Sequence, residues 1–205
     1  MGGVVLRLIT GMSSEINQNV MYGLAEYRYD IFVRKMGWPL NCPEGFEQDE
    51  FDWPDTVYAI VLDADNKICG CARLLPTNKP YLLSEHFVHL MGDASLPNHS
   101  QTWELSRFAI SPSRNGGSHS ARNWADTVAL VRNVITTAID QGANRLIAVS
   151  AVGNERLLKR MGVNVHRISI PQRVDQKPVV AFWIEIDQQT RSALDIDCPS
   201  WALSN

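Results

Sequence analysis

The chain has 205 residues and is 45% hydrophobic and 20% charged, the profile of an ordinary soluble globular protein with room for one sizeable core. Its formal net charge of -3 argues against a dedicated nucleic-acid binder, which carries a basic surplus. No apolar stretch approaches a membrane span, and "MGGVVLRLIT" lacks a signal-peptide apolar region and cleavage site, so a cytoplasmic protein is expected.

"VVLRLI" (Val4–Ile9) reads as the first strand. From Ser13 to Met36, Ile16, Val20, Leu24, Tyr27 and Ile31 form one helical stripe, with Ser13 and Ser14 as cap candidates and Gly37 as the stop. The following segment, Trp38–Asp55, is rich in acids and aromatics and has no helix or strand pattern. At about 18 residues it is long enough to suspect function. "TVYAIVLD" and "KICGCARLL" then flank "ADN" as an antiparallel hairpin, and a short helix fits around Ser84–Met91.

"TWELSRFAI" is the next strand, followed by the turn-rich "SPSRNGGSHS". Trp124, Val128, Val131, Ile135 and Ile139 recur at helical spacing up to Gly142. "RLIAVSAV", "NERLLKRM", ended by Gly162, and "VNVHRISI" make a strand–helix–strand passage, and "VVAFWIEI" is apolar enough for a strand covered on both faces. The order β-α-β-β-β-α-β-α-β-β predicts a mixed sheet with helices packed on it, α/β or α+β with a largely antiparallel first half.

The cysteines show no CxxC or Cys/His metal spacing. Cys69 and Cys71 lie in a strand, Cys42 in a loop and Cys198 near the C-terminus, as expected of reduced thiols. No metal site is expected. "SRNGGSHS" before a helix is a weak phosphate-turn candidate, more simply read as loop chemistry.

Charge in apolar surroundings is the informative signal. Arg28 and Phe32 share a helix face, and Trp38 follows just past its end. "FEQDEFD" sets Glu47, Asp49, Glu50 and Asp52 among Phe46, Phe51 and Trp53. Arg73 ends an apolar strand, and Glu104 and Arg107 interrupt "WELSRFAI". Buried charges persist when they pair or meet a ligand, so both an internal ion-pair network and a binding site account for the pattern.

Together these segments resemble the acyl-homoserine-lactone synthases, the LuxI-type autoinducer synthases. "YRYDIFVRKMGW" resembles the family's R…F…W helix, "FEQDEFD" its D-x-x-D loop, "GCARLLPT" its G-x-x-R-L-x-P-T strand end, and "WELSRFAI" its E-x-S-R-F strand. The similarity runs from about residue 5 to 187. It implies a single synthase domain over residues 1–205, with a GCN5-related N-acetyltransferase-like twisted mixed sheet flanked by helices and splayed into a cleft. The implied N-terminal half holds S-adenosylmethionine through Arg28, Phe32, Trp38, Asp49, Asp52, Arg73 and Phe108. The implied C-terminal half holds the acyl chain and its carrier, either acyl carrier protein or coenzyme A.

The resemblance also implies that S-adenosylmethionine is a substrate and that no cofactor is needed. Its α-amine, with a reference pKa of about 7.7–8.0, must lose a proton before it attacks a thioester. Glu104 is the candidate acceptor, with Arg107 beside it as a catalytic residue. Arg156, Lys159 and Arg160 offer a patch for an acidic carrier. Ala148 stands where relatives making 3-oxo products often have Thr, which leans toward an unsubstituted chain. An ordinary acyl-CoA N-acyltransferase acting on a small amine is the rival reading, although "RNGGSHSA" lacks the pyrophosphate-loop pattern. Strand alternation puts Glu104 and Arg107 on opposite faces, so their joint use predicts a β-bulge near Ser106.

Overall fold

The computed structural model describes residues 6–111, 119–174 and 177–196. Among them are eight strands forming a mixed sheet in the order β1-β2-β3-β4-β5-β8-β6, with β7 also paired to β8. The glycine-rich turn at 112–118, Cys198 and the expected strand start at Val4 lie outside the described residues. The chain divides into two compact units that interleave in sequence, residues 1–75 with 107–133 and residues 76–106 with 134–205.

In the first unit, β1 (Arg7–Met12) pairs antiparallel with β2 (Val57–Leu62), and β2 with β3 (Ile68–Pro76), the hairpin expected from sequence. Helix α1 (Gln18–Arg28) starts later than expected. Ser13 and Ser14 do not cap it, because their N–H groups donate to Thr56 O and Pro54 O at 2.8 and 2.9 Å. Asn17 caps instead, its Oδ1 accepting from Asn19 N at 2.9 Å. Beyond Arg28 the helix widens into a π-helical turn, Tyr29–Lys35, and ends before Gly37, whose φ of +67° suits glycine. Leu24, Ile31 and Phe32 pack with Tyr58, Ile60, Cys71 and Ala109 to form this unit's core.

In the second unit, β4 (Thr102–Ile110, with its last four residues in the first unit) begins parallel to β5 (Arg145–Ala151). Strand β5 pairs antiparallel with β8 (Lys177–Glu185), which also pairs with β6 (Val165–Arg167) and β7 (Gln172–Val174). Helix α2 (Leu82–His86) and a 3-10 turn (Val88–Met91) lie between β3 and β4. Helix α3 (His119–Asp140), whose residues up to 133 belong to the first unit, precedes β5, and α4 (Val152–Arg160) follows it. Helix α5 (Gln188–Ala193) closes the described chain. Strand β7 and helix α5 were not expected from sequence, since "QRV" and "QQTRSA" are too short and polar to show a periodic apolar face.

Two glycines here test the backbone in opposite directions. Gly162 has φ +87°, and a Cβ on it would stand 2.9 Å from Ala193 Cβ. Gly153 lies in α4, and a Cβ there meets nothing within 4 Å. Gly162→Ala should lower the thermal midpoint, at a cost of about 1–3 kcal/mol, while Gly153→Ala should raise it through a gain in stability of about 0.5–1 kcal/mol. Equal midpoints in calorimetry would contradict both assignments.

Candidate active site

Arg28 ends α1, Arg73 lies near the end of β3, and Arg107 stands in β4; all three are buried. The long segment after the π-helical turn brings acids to them. Glu47 N donates to Ala25 O at 3.1 Å, tying this segment to α1. Asp49 N donates to Asp52 Oδ2 at 2.8 Å and Phe51 N to Asp49 Oδ1 at 3.0 Å, so the acids shape their own turn. Phe51, 1% exposed, anchors it in the core.

The charges close a ring. Arg28 Nε meets Glu47 Oε2 at 2.5 Å, and Glu47 Oε1 meets Arg107 Nη2 at 3.0 Å. Arg107 Nη2 reaches Asp49 Oδ2 at 2.7 Å, and Asp49 Oδ1 meets Arg73 Nη1 at 2.5 Å. Arg73 Nη1 and Arg28 Nη1 both reach Asp52 Oδ1 at 2.8 Å. Each guanidinium therefore bridges two carboxylates, and each carboxylate bridges two guanidiniums. Asp49, with its side chain 14% exposed, is the most accessible member. Arg28 Nη2 is buried without a hydrogen-bond partner.

Aromatic rings line this network. Phe32 stacks on Trp38 with centroids 5.0 Å apart, and the Arg107 guanidinium sits 5.6 Å from the Phe32 centroid. Arg73 lies 5.7 Å from the Phe51 centroid. Tyr58, in the fully buried β2, donates to Asp52 Oδ1 and accepts from Arg28 Nη1 at 3.4 Å. Phe108 is half-buried in β4 of the same unit.

Burial alone would raise the carboxyl pKa values. Instead, Arg28 and Arg107 hold Glu47 below its usual range, Arg73 and Arg107 hold Asp49 down, and Arg28 and Arg73 hold Asp52 well below it. Burial, then the neighbouring Asp52, pushes the Tyr58 phenol up, so it stays a donor. Burial pushes the Cys71 thiol up to about 12, and its Sγ donates to Arg107 O at 3.1 Å.

The expected distortion of "WELSRFAI" falls one residue later than Ser106. Arg107 has φ +49°, in the left-handed region. In the second unit, Glu104 is 1% exposed, its Oε2 accepting from Leu82 N at 2.9 Å and its Oε1 from Leu83 N at 2.7 Å. Ala148 is buried in β5 opposite Phe182. Arg156, Lys159 and Arg160 are exposed on α4, and Lys159 pairs at 2.7 Å with Glu155, a buried carboxylate that also holds Arg167.

Sequence reasoning singled out Asp49 and Asp52 but left Glu47 within an undifferentiated acidic run, and it missed Tyr58. A tyrosine in an otherwise aliphatic buried strand was an available signal, because its hydroxyl needs a partner. Asp52→Asn leaves two buried guanidiniums short of charge and should cost about 3–5 kcal/mol. The three carboxyls are depressed below unfolded values of about 3.9–4.3, so their stabilisation is complete above that range and is lost as pH falls below it towards the lower folded values. Urea midpoints should hold from pH 7 to about 5.5 and drop below about 4.5, less steeply in Asp52→Asn. Identical acid sensitivity in both proteins would refute the ring's contribution.

The autoinducer synthase family matches residues 12–194. The chain is 43% identical over 175 residues to an acyl-homoserine-lactone synthase of Ralstonia nicotianae, covering 84% of this chain and 85% of that protein. The structure of TofI in a ternary complex with an inhibitor and MTA superposes with a TM-score of 0.82 at 38% identity, covering 93% and 97% of the two chains. BjaI, a CoA-dependent acyl-homoserine lactone synthase seen with SAM and isopentyl-CoA, superposes at 0.80 with 29% identity, covering 97% and 92%. An acyl-CoA N-acyltransferase from Pseudomonas aeruginosa, 15% identical with a TM-score of 0.61 over 87% and 99% of the chains, shares the fold alone. The chain belongs to the autoinducer synthase family.

Proposed function

We propose that the chain is an acyltransferase that joins S-adenosylmethionine to a fatty acyl thioester and releases an N-acyl-L-homoserine lactone. The substrate's α-amine attacks the thioester carbonyl, the carrier thiolate leaves, and the amine's proton is removed. The carboxylate oxygen of the same substrate then attacks its γ-carbon, forming a C–O bond as the C–S bond breaks and methylthioadenosine departs.

The observation that carries this reading is the buried ring with its unpaired Arg28 Nη2 and its accessible Asp49. A guanidinium N–H suits a substrate carboxylate, and a carboxylate beside the stacked Phe32 and Trp38 suits an amine or sulfonium cation. Both charges come from one zwitterionic α-amino acid group, whose folded conformer such contacts would hold for lactonisation. Arg73, Arg107 and Asp52 keep Arg28 and Asp49 in place, and Phe108 belongs to the same substrate-binding set. S-adenosylmethionine is consumed as a substrate, so no resident cofactor enters the reaction.

The acyl donor is carried on acyl carrier protein or on coenzyme A, and exposed Arg156, Lys159 and Arg160 suit an acidic or phosphorylated carrier. Ala148 offers no hydroxyl to a 3-oxo group, favouring an unsubstituted chain. Among the described residues no helix is long and apolar enough to cross a membrane and no cluster is arranged to hold a metal ion. The proposed setting is the cytoplasm, without nucleic-acid or membrane partners.

Incubation with S-adenosylmethionine and a panel of acyl-carrier and acyl-CoA thioesters, read by mass spectrometry, should give lactone and methylthioadenosine in equal amounts. Acylation of another amine without any lactone would establish the rival N-acyltransferase and sink this reading. Inertness with every donor would leave a non-catalytic domain.

A further inference from the structure

Glu104 carries a carboxylate 1% exposed, and such a group persists in a protein interior only when its charge is met by donors. Two of those donors are backbone amides. Leu82 N lies 2.9 Å from Oε2 and Leu83 N 2.7 Å from Oε1, one amide for each oxygen. These residues open α2, a five-residue helix too short to stand by its own hydrogen bonds. The first N–H groups of any helix lack partners within it, and a short polar cap usually supplies one. Tyr81 occupies the cap position here, and its own N–H is met by Ser84 Oγ at 3.0 Å. The caps for the next two amides come from β4, more than twenty residues further along the chain.

The segment held in this way is long, and its other ties lie at its base and towards its far end. Thr77 Oγ1 donates to Thr102 O at 2.9 Å and closes the base of the excursion between β3 and β4. Tyr81 Oη donates to Pro97 O at 2.8 Å, and Ser169 Oγ to Leu90 O at 2.5 Å. Leu83 and Leu90 are fully buried, so the excursion packs as a fixed body only if its first turn stays in place. Glu104 supplies the tie from that turn to the sheet.

We infer that Glu104 is a positioning residue, a carboxylate latch that fixes the 81–91 segment against β4, and not the group that takes the proton from the substrate amine. A carboxylate that took up that proton would convert one acceptor oxygen into an O–H and weaken its bond to the amide facing it. Every turnover would then loosen the first turn of α2. With Glu104 ionised throughout, the amine's proton passes to solvent water. The inference rests on the proposed synthase reaction for its catalytic meaning, while the latch itself is a property of the fold.

The test uses the full chain, wild type, Glu104→Gln, Glu104→Asp and Ser84→Ala, with an acyl donor that gives lactone with the wild type. Hydrogen–deuterium exchange of the 81–91 segment and the pH dependence of kcat and KM are measured together. Gln places an NH2 or a lone amide oxygen where two N–H groups point. Exchange in Glu104→Gln should therefore rise about tenfold or more, with Glu104→Asp in between. Ser84→Ala, which loosens the same turn and leaves Glu104 intact, should raise exchange and the acyl-donor KM in the same direction. Turnover lost in Glu104→Gln should stay lost from pH 6.5 to 9.5, since an alkaline medium does not rebuild the latch.

Wild-type exchange in Glu104→Gln would overturn the inference. So would turnover recovering as pH passes the amine pKa of about 8 with KM unchanged, which marks a missing proton acceptor. If the wild type makes no lactone from any donor, the synthase reading fails, and the exchange comparison still decides the latch.

Discussion

The structure of the first unit depends on one constraint: a buried charge must be met, and here three guanidiniums and three carboxylates meet one another. Arg28, Arg73 and Arg107 come from a helix end and two strands, while Glu47, Asp49 and Asp52 come from a segment with no regular structure. Closure of the ring is what gives that segment a conformation, because each acid is held from two sides. The attraction repays desolvation only when all six charges are in place, so the ring acts as a unit and no pair in it is a separable salt bridge. The same dependence makes its geometry rigid, which suits a site that must hold a flexible substrate in one folded form.

Much of this was legible from residue type and position. Strands β2, β3, β4, β5 and β8 and helices α1, α3 and α4 followed from apolar periodicity, and the charges interrupting apolar runs marked Arg28, Arg73, Glu104 and Arg107. The ring was not legible as a ring. Glu47 sits in a run of four acids, and nothing local separates it from Glu50, which is exposed. Its selection is made by Ala25 O, which takes its N–H, and by two arginines 19 and 60 residues away. The late start of α1 has a similar cause, since Ser13 and Ser14 were suitable caps whose backbones were claimed by Pro54 and Thr56. Local propensity lost to tertiary hydrogen bonds in both places.

"WELSRFAI" shows how one short strand serves two demands. Alternation would send Glu104 and Arg107 to opposite faces, and the backbone leaves regular strand geometry at Arg107, whose φ is +49°. A non-glycine residue adopts this conformation at a cost, which its surroundings must offset. The Arg107 side chain is fixed by Glu47 and Asp49, and its carbonyl accepts from the Cys71 thiol, which burial keeps protonated. Sequence reasoning expected an irregularity near Ser106, and a left-handed residue stands at Arg107, but it did not find the cysteine that meets the Arg107 carbonyl. The partners of Glu104 were beyond its reach for a plainer reason: backbone amides leave no mark in a sequence.

Charge balance adds a last step. Three guanidiniums and three carboxylates sum to zero, so a ligand that added net charge to this buried network would reintroduce the desolvation problem the ring solves. In the proposed reading an α-amino acid in its zwitterionic form adds none, since a carboxylate at Arg28 Nη2 and an ammonium at Asp49 would leave the sum unchanged. The sulfonium of S-adenosylmethionine is then the one unbalanced charge, and aromatic faces such as those of Phe32 and Trp38 receive a cation without needing a further acid. On the proposed reaction, acylation with loss of the ammonium proton removes the surplus charge, and lactonisation then cancels the sulfonium against the carboxylate, leaving a neutral thioether and a neutral ester. The same electrostatics that favours the substrate thus weakens its hold on the products, so turnover and binding draw on one neutral ring.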